Sequence, residues 1–136
     1  MKASFFYLLV LVGVLSAAAA DKKEQELAQA DSIEVWDQRV SALHAKPVKI
    51  IDRQSIQAVV SSIEESKAKW KKGWGTSPSG YLRFVFCRGN DVIVAIGLGE
   101  GFLVRGGGGD WESQKISKEI ETKLDSFGQK KEEQNK

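Results

Sequence analysis

Cations and indoles alternate through Lys67-Ala68-Lys69-Trp70-Lys71-Lys72-Gly73-Trp74. Lysines meet phosphate or carboxylate groups, and an indole stacks on a sugar or peptide while its single N–H donates. In a binding role the lysines would meet an envelope polymer or anionic partner while Trp74 stacked on its sugar or peptide. Tyr81 and Arg83 add a second aromatic and cationic pair, the types enriched at the energetic centres of interfaces. The candidate binding set is Lys69, Lys71, Lys72, Trp74, Tyr81 and Arg83. The same cluster also suits the end of a helix, where lysines complement the dipole, Trp70 enters the core and Gly73 terminates the run.

Other constellations are weaker. Arg105-Gly106-Gly107-Gly108-Gly109-Asp110 could let backbone amides approach a phosphate at a helix start. It lacks the Lys-Ser/Thr of a nucleotide P-loop and the spacing of a dinucleotide loop, so a flexible connection is the simpler reading. His44 and Cys87 are the only residues of their kinds. Any Cys-His nucleophilic pair must use these two, with Asp37 or Asp52 to orient the imidazole, and nothing in their spacing brings them together. One His and one Cys also fall short of the four ligands usual in a structural zinc site. Asp91, Glu100 and Asp110 are expected near strand ends, where they could hold a hard cation or act as acid and base, yet turn capping explains each. No catalytic residue, metal ligand or cofactor is assigned.

The elements that position these residues follow from periodicity. Ile33 and Val35 alternate with Glu34 and Trp36, and Val48-Lys49-Ile50 repeats the pattern, giving two short strands. Asp52 is placed to cap a helix running to Gly73, with Ile56, Val59, Val60, Ile63 and Trp70 on one face. In Tyr81 to Cys87, Leu82, Phe84 and Phe86 point one way and Tyr81, Arg83, Val85 and Cys87 the other. Gly89-Asn90 turns the chain into Asp91 to Leu98, and Gly99-Glu100-Gly101 turns it again into Phe102 to Arg105, a three-stranded meander. Asp110 caps a last helix with Ile116, Ile120, Leu124 and Phe127 inward and Gly128 as terminator. The expected fold is α+β, a mainly antiparallel sheet of about four to five strands with two helices on one face, in the order β-β-α-β-β-β-α.

The first twenty residues join Lys2, an apolar run from Phe5 to Leu15, and small residues ending in Ala18-Ala19-Ala20. That is the pattern of an export signal cleaved before Asp21, with the mature chain periplasmic or extracellular. The run is short for a membrane span and no cysteine follows it for lipid attachment, so no stable membrane anchor is expected. Residues 21–31 read as a flexible spacer, 32–128 as one domain and 129–136 as a disordered tail. Losing Lys2 reduces the formal net charge from +2 to about +1. Such a balance offers no global field for nucleic acid. With Cys87 alone, no internal disulfide forms and the fold rests on its core.

These readings converge on an exported, monomeric, non-enzymatic module that binds a protein, peptide or envelope polymer. Two alternatives stand beside it. One is a small exported hydrolase with a site of dispersed carboxylates; the other is a structural envelope protein that self-associates through a sheet edge.

Overall fold

The computed structural model describes residues 26–41, 43, 46–107 and 110–129. The expected export signal and its expected cleavage site, His44, Gly108, Gly109 and the residues beyond Gln129 lie outside the described residues. Seven strands form one antiparallel sheet: β1 (Ser32–Asp37), β2 (Val48–Ile50), β3 (Lys71–Lys72), β4 (Leu82–Arg88), β5 (Asp91–Gly99), β6 (Phe102–Gly107) and β7 (Asp110–Lys115), in the order β2-β1-β4-β5-β6-β7-β3. Helix α1 (Arg53–Glu64), helix α2 (Lys118–Gln129) and a helical turn at 26–28 complete it. The α+β class and the antiparallel sheet stand, but seven strands and three helical segments replace the four to five and two expected.

Alternation divides the sheet into two faces. Ile33 and Val35 of β1, Leu82, Phe84 and Phe86 of β4, Ile96 and Leu98 of β5 and Leu103 of β6 are all but fully buried on one face. They share a single core with Ile56, Val59, Val60 and Ile63 of α1 and Ile120, Leu124 and Phe127 of α2. The β4–β5 hairpin turns at Gly89, whose φ of +61° is a conformation that side chains with a Cβ avoid. The other face carries Glu34, Trp36, Arg83, Val85 and Cys87.

Three expectations need correction. Asp52 does cap α1, accepting from the Ser55 N–H at 2.8 Å, but the helix ends at Glu64 instead of Gly73. Past Ile63 the next apolar partners on the buried stripe would be Ser66 and Lys67, so a further turn has nothing to bury, and lysines four apart repel. The chain instead extends. The buried Gln114 amide donates to the carbonyls of Ser66 and Ala68, and Lys71 and Lys72 pair with Ser113 and Glu112 as β3.

Asp110 starts a strand, not a helix. The segment Asp110 to Lys115 is polar in sequence, but pairing with β6 satisfies its backbone and buries Trp111. Helix α2 begins at Lys118 and is capped by Ser117, whose Oγ accepts from the Ile120 N–H at 3.2 Å. Ile116 precedes it, and Gly128 lies within it against Leu82.

The expected spacer also changes at its end. Leu27 and Ala30 are buried in the core, so residues 26–31 belong to the folded unit that was expected to begin at Ser32. A short apolar pair within a charged stretch shows no periodicity, which is why it read as linker.

Both sheet edges are blunted. β2 has only three residues, and β3 has two, both exposed lysines. Short, cationic edges oppose strand addition from a neighbouring chain.

Candidate functional site

A groove opens on the sheet face opposite the helices. Trp36, Arg83, Gly97 and Val104 lie side by side there on β1, β4, β5 and β6. Gly97 and Ala95 form a low floor; a Cβ at Gly97 would come within 2.8 Å of Val104 Cγ1. The chain between β3 and β4 returns over this face and supplies a wall through Ser77, Pro78 and Ser79, bordering an open space of about 210 Å³. Among the described residues, Arg83 is the sole charged one lining this space. It is exposed and, among the described residues, pairs with no carboxylate. Past Gln38, Ser79 and Gly80 the groove meets a second hollow of about 470 Å³, lined by Arg39, Tyr81 and Phe102.

The loop is pinned where it leaves β3. Gly73 donates its N–H to the Trp111 carbonyl at 2.9 Å and lies against the Trp111 ring, and the Trp111 indole N–H donates to the Gly75 carbonyl at 3.0 Å. Trp74, between these two glycines, is 91% exposed. Its backbone is thus held on both sides while its indole projects into solvent.

The six candidate residues separate into groups. Arg83 and Lys71 share the open face by strand register, four strands apart, which is about 19 Å at about 4.8 Å per strand. Lys69 is exposed just before β3. Lys72 alternates to the helix-bearing face and reaches Asp110 at 3.5 Å. Tyr81 is half-buried, with the Arg39 guanidinium 4.7 Å from its ring centroid. Its hydroxyl donates to Glu121 at 3.0 Å. Burial first, and then the Glu121 carboxylate, raise the Tyr81 pKa above the usual phenol range. For Glu121, burial alone would raise the pKa. The Gly101 N–H at 2.7 Å, the Tyr81 hydroxyl and Lys118 together outweigh it and hold the carboxyl below its ordinary value. Tyr81 therefore has a structural commitment in addition to its place beside the groove.

The candidate chemistry groups disperse. Asp91 opens β5 and Glu100 lies beyond its far end, so the two sit at opposite ends of this nine-residue strand. Asp37 accepts both Arg39 Nε and Nη2 at 2.9 Å, and Asp52 caps α1, so both carboxylates proposed to orient a histidine are engaged elsewhere. The side-chain hydrogen bond from Arg39 is the main reason the Asp37 carboxyl lies below its usual range. Cys87 is half-buried on the open face, and burial, then Glu34 and Asp31, push its thiol pKa up, away from the reactive thiolate. Among the described residues, the element that resumes at Asp110 is strand β7, not the helix start that an anion loop requires. Arg105 instead stacks over Trp70 at 4.0 Å and donates to Glu112 at 2.7 Å.

One cleft does gather carboxylates. On the helix-bearing face, Glu26, Asp110 and Glu112 surround a space of about 290 Å³ floored by Ile93, Val94 and Ile96. Arg105 meets Glu112, and Lys72 meets Asp110, so two of the three carboxylates have a cation beside them.

Of the residues that line the groove, the sequence reading singled out Arg83 but not Gln38, Ser77 or Ser79, and it did not foresee the part played by Trp111. The spacing of Trp111 and Gln114, both buried in an otherwise polar run, carries no periodic signal that would have disclosed them. Comparison with protein-family models, with curated proteins and with solved structures finds no match to this chain.

Proposed function

We propose that this chain is an exported, non-enzymatic module that binds a protein, peptide or envelope component on the open face of its sheet. The observation that carries the reading is Arg83: a cation without an ion pair among the described residues, set in a groove whose other lining is neutral. A charge placed in a concavity without a counter-ion is a ready point of attachment for an anionic group. Lys71 on the same face and the fixed, exposed Trp74 extend the surface. A pinned backbone lowers the ordering cost of using that indole as an anchor. The blunted edges favour a monomer over edge-to-edge assembly.

The test is affinity capture by the tagged chain from Asp21 onward, against envelope and secreted fractions of its source cells. Arg83→Ala and a Lys71/Lys72/Trp74 triple alanine variant serve as comparisons. A specific partner retained by the parent and lost from both variants supports the reading. Equal capture by all three removes this surface.

The cleft around Asp110 and Glu112 supports a second reading, a hydrolase using paired carboxylates. Turnover of a panel of ester, peptide and glycoside substrates that disappears in both Asp110→Asn and Glu112→Gln would favour it over binding alone.

A further inference from the structure

We infer that the Arg83 groove binds the C-terminal carboxylate of a peptide whose last residue is small and apolar. The inference rests on the binding reading above and names its ligand. Charge sets the first requirement: Arg83 is the only charged lining residue among the described residues, and its guanidinium presents a fork of donors matched to the two oxygens of a carboxylate. Gln38, Ser77 and Ser79 add neutral polar groups beside it.

Size and polarity set the second. The groove's 210 Å³ is below the ~300–1,000 Å³ of pockets for drug-sized ligands, so it admits about one small residue. Its floor of Ala95, Gly97 and Val104 offers no hydrogen bonds, and a sugar acid would leave hydroxyl groups unpaired against it. A short alkyl side chain meets that floor without such a cost.

Connectivity sets the third. The groove continues on one side, past Gln38 and Gly80, into the hollow lined by Tyr81 and Phe102, which gives the preceding residues of a peptide a path outward. Toward β7, the Trp111–Gly75 hydrogen bond brings the loop down beside Gly106, the cross-strand neighbour of Trp111. Arg83 gives a terminal carboxylate its attachment point, and the continuing hollow takes the residues that precede it.

The test is isothermal titration of the protein with three peptides: acetyl-Ala-Ala-Ala with a free carboxylate, the same peptide as its C-terminal amide, and acetyl-Ala-Asp-Ala amide. The free acid is expected to bind at least about tenfold more tightly than either amide. Arg83→Ala should lose that preference, and Arg83→Lys should keep only part of it because an ammonium lacks the fork. Arg83 is exposed, so matching circular dichroism and melting curves will show that these variants fold. Equal binding of acid and amide overturns the inference, as does an unchanged preference in Arg83→Ala. Equal binding of the Asp-containing amide assigns the groove to side-chain carboxylates and overturns the terminal claim. If no peptide binds while partner capture still depends on Arg83, this inference falls and the binding reading stands; if capture is also independent of Arg83, both fall.

Discussion

The Trp111 indole donates to the Gly75 carbonyl at 3.0 Å while its ring packs on Gly73, so one side chain holds the backbone on both sides of Trp74. A methyl group at Gly73 has no space against that ring. Gly73→Ala should therefore destabilise the fold by about 1–3 kcal/mol, as overpacking does, measured by urea denaturation. Trp74→Ala, which removes an exposed side chain, should change stability by less than about 0.5 kcal/mol. Equal effects of the two would contradict the pinned loop.

Leu27 lies in the core although the sequence around it reads as linker. Leu27→Ala should cost about 2–5 kcal/mol, the range for emptying a buried leucine site. A midpoint in denaturant unchanged from the parent would return residues 26–31 to the role of spacer.

The Glu121 carboxylate ties helix α2 to Tyr81 and to the Gly101 turn, and its pKa is below the ordinary value of 4.5. Its charged form is therefore favoured by folding. The corresponding stability is present in full above that ordinary value and is lost as pH falls through the lower, folded-state value. Asp37, held down by Arg39, acts in the same direction. Between about pH 5 and about pH 3, Glu121→Gln should lose stability less steeply than the parent. Parallel pH profiles would show that Glu121 is not coupled to folding.

Cys87 is half-buried with its thiol pKa raised. Alkylation by iodoacetamide near neutral pH should be slower in the native protein than in denaturant, where burial and the neighbouring carboxylates are removed. Equal rates would place the thiol in open solvent.

Much of this fold is legible where burial imposes a period. Leu82, Phe84 and Phe86 announce a strand with one buried face, and Ile56, Val59, Val60 and Ile63 announce a helix, because each set must reach one core. The period disappears where a strand is stabilised mainly by its neighbours. β7 buries only Trp111 and Gln114, and β3 buries neither of its lysines, so pairing across the sheet decides both. The groove was half legible for the same reason. Arg83 could be put on the outward face by counting, but its wall comes from a loop whose path depends on Trp111, a residue in the strand that local pattern assigned to a helix.

The position of β1 in the sheet governs the order in which the molecule can form. β1 pairs with β2, close in sequence, and with β4, where Ser32 meets Cys87. Closing that long loop has an entropic cost before any contact repays it. A nascent chain that has released β1, β2 and α1 has no central strand on which to assemble them. The first half therefore gains its central strand only when β4 is present, and the sheet closes between residues far apart in sequence.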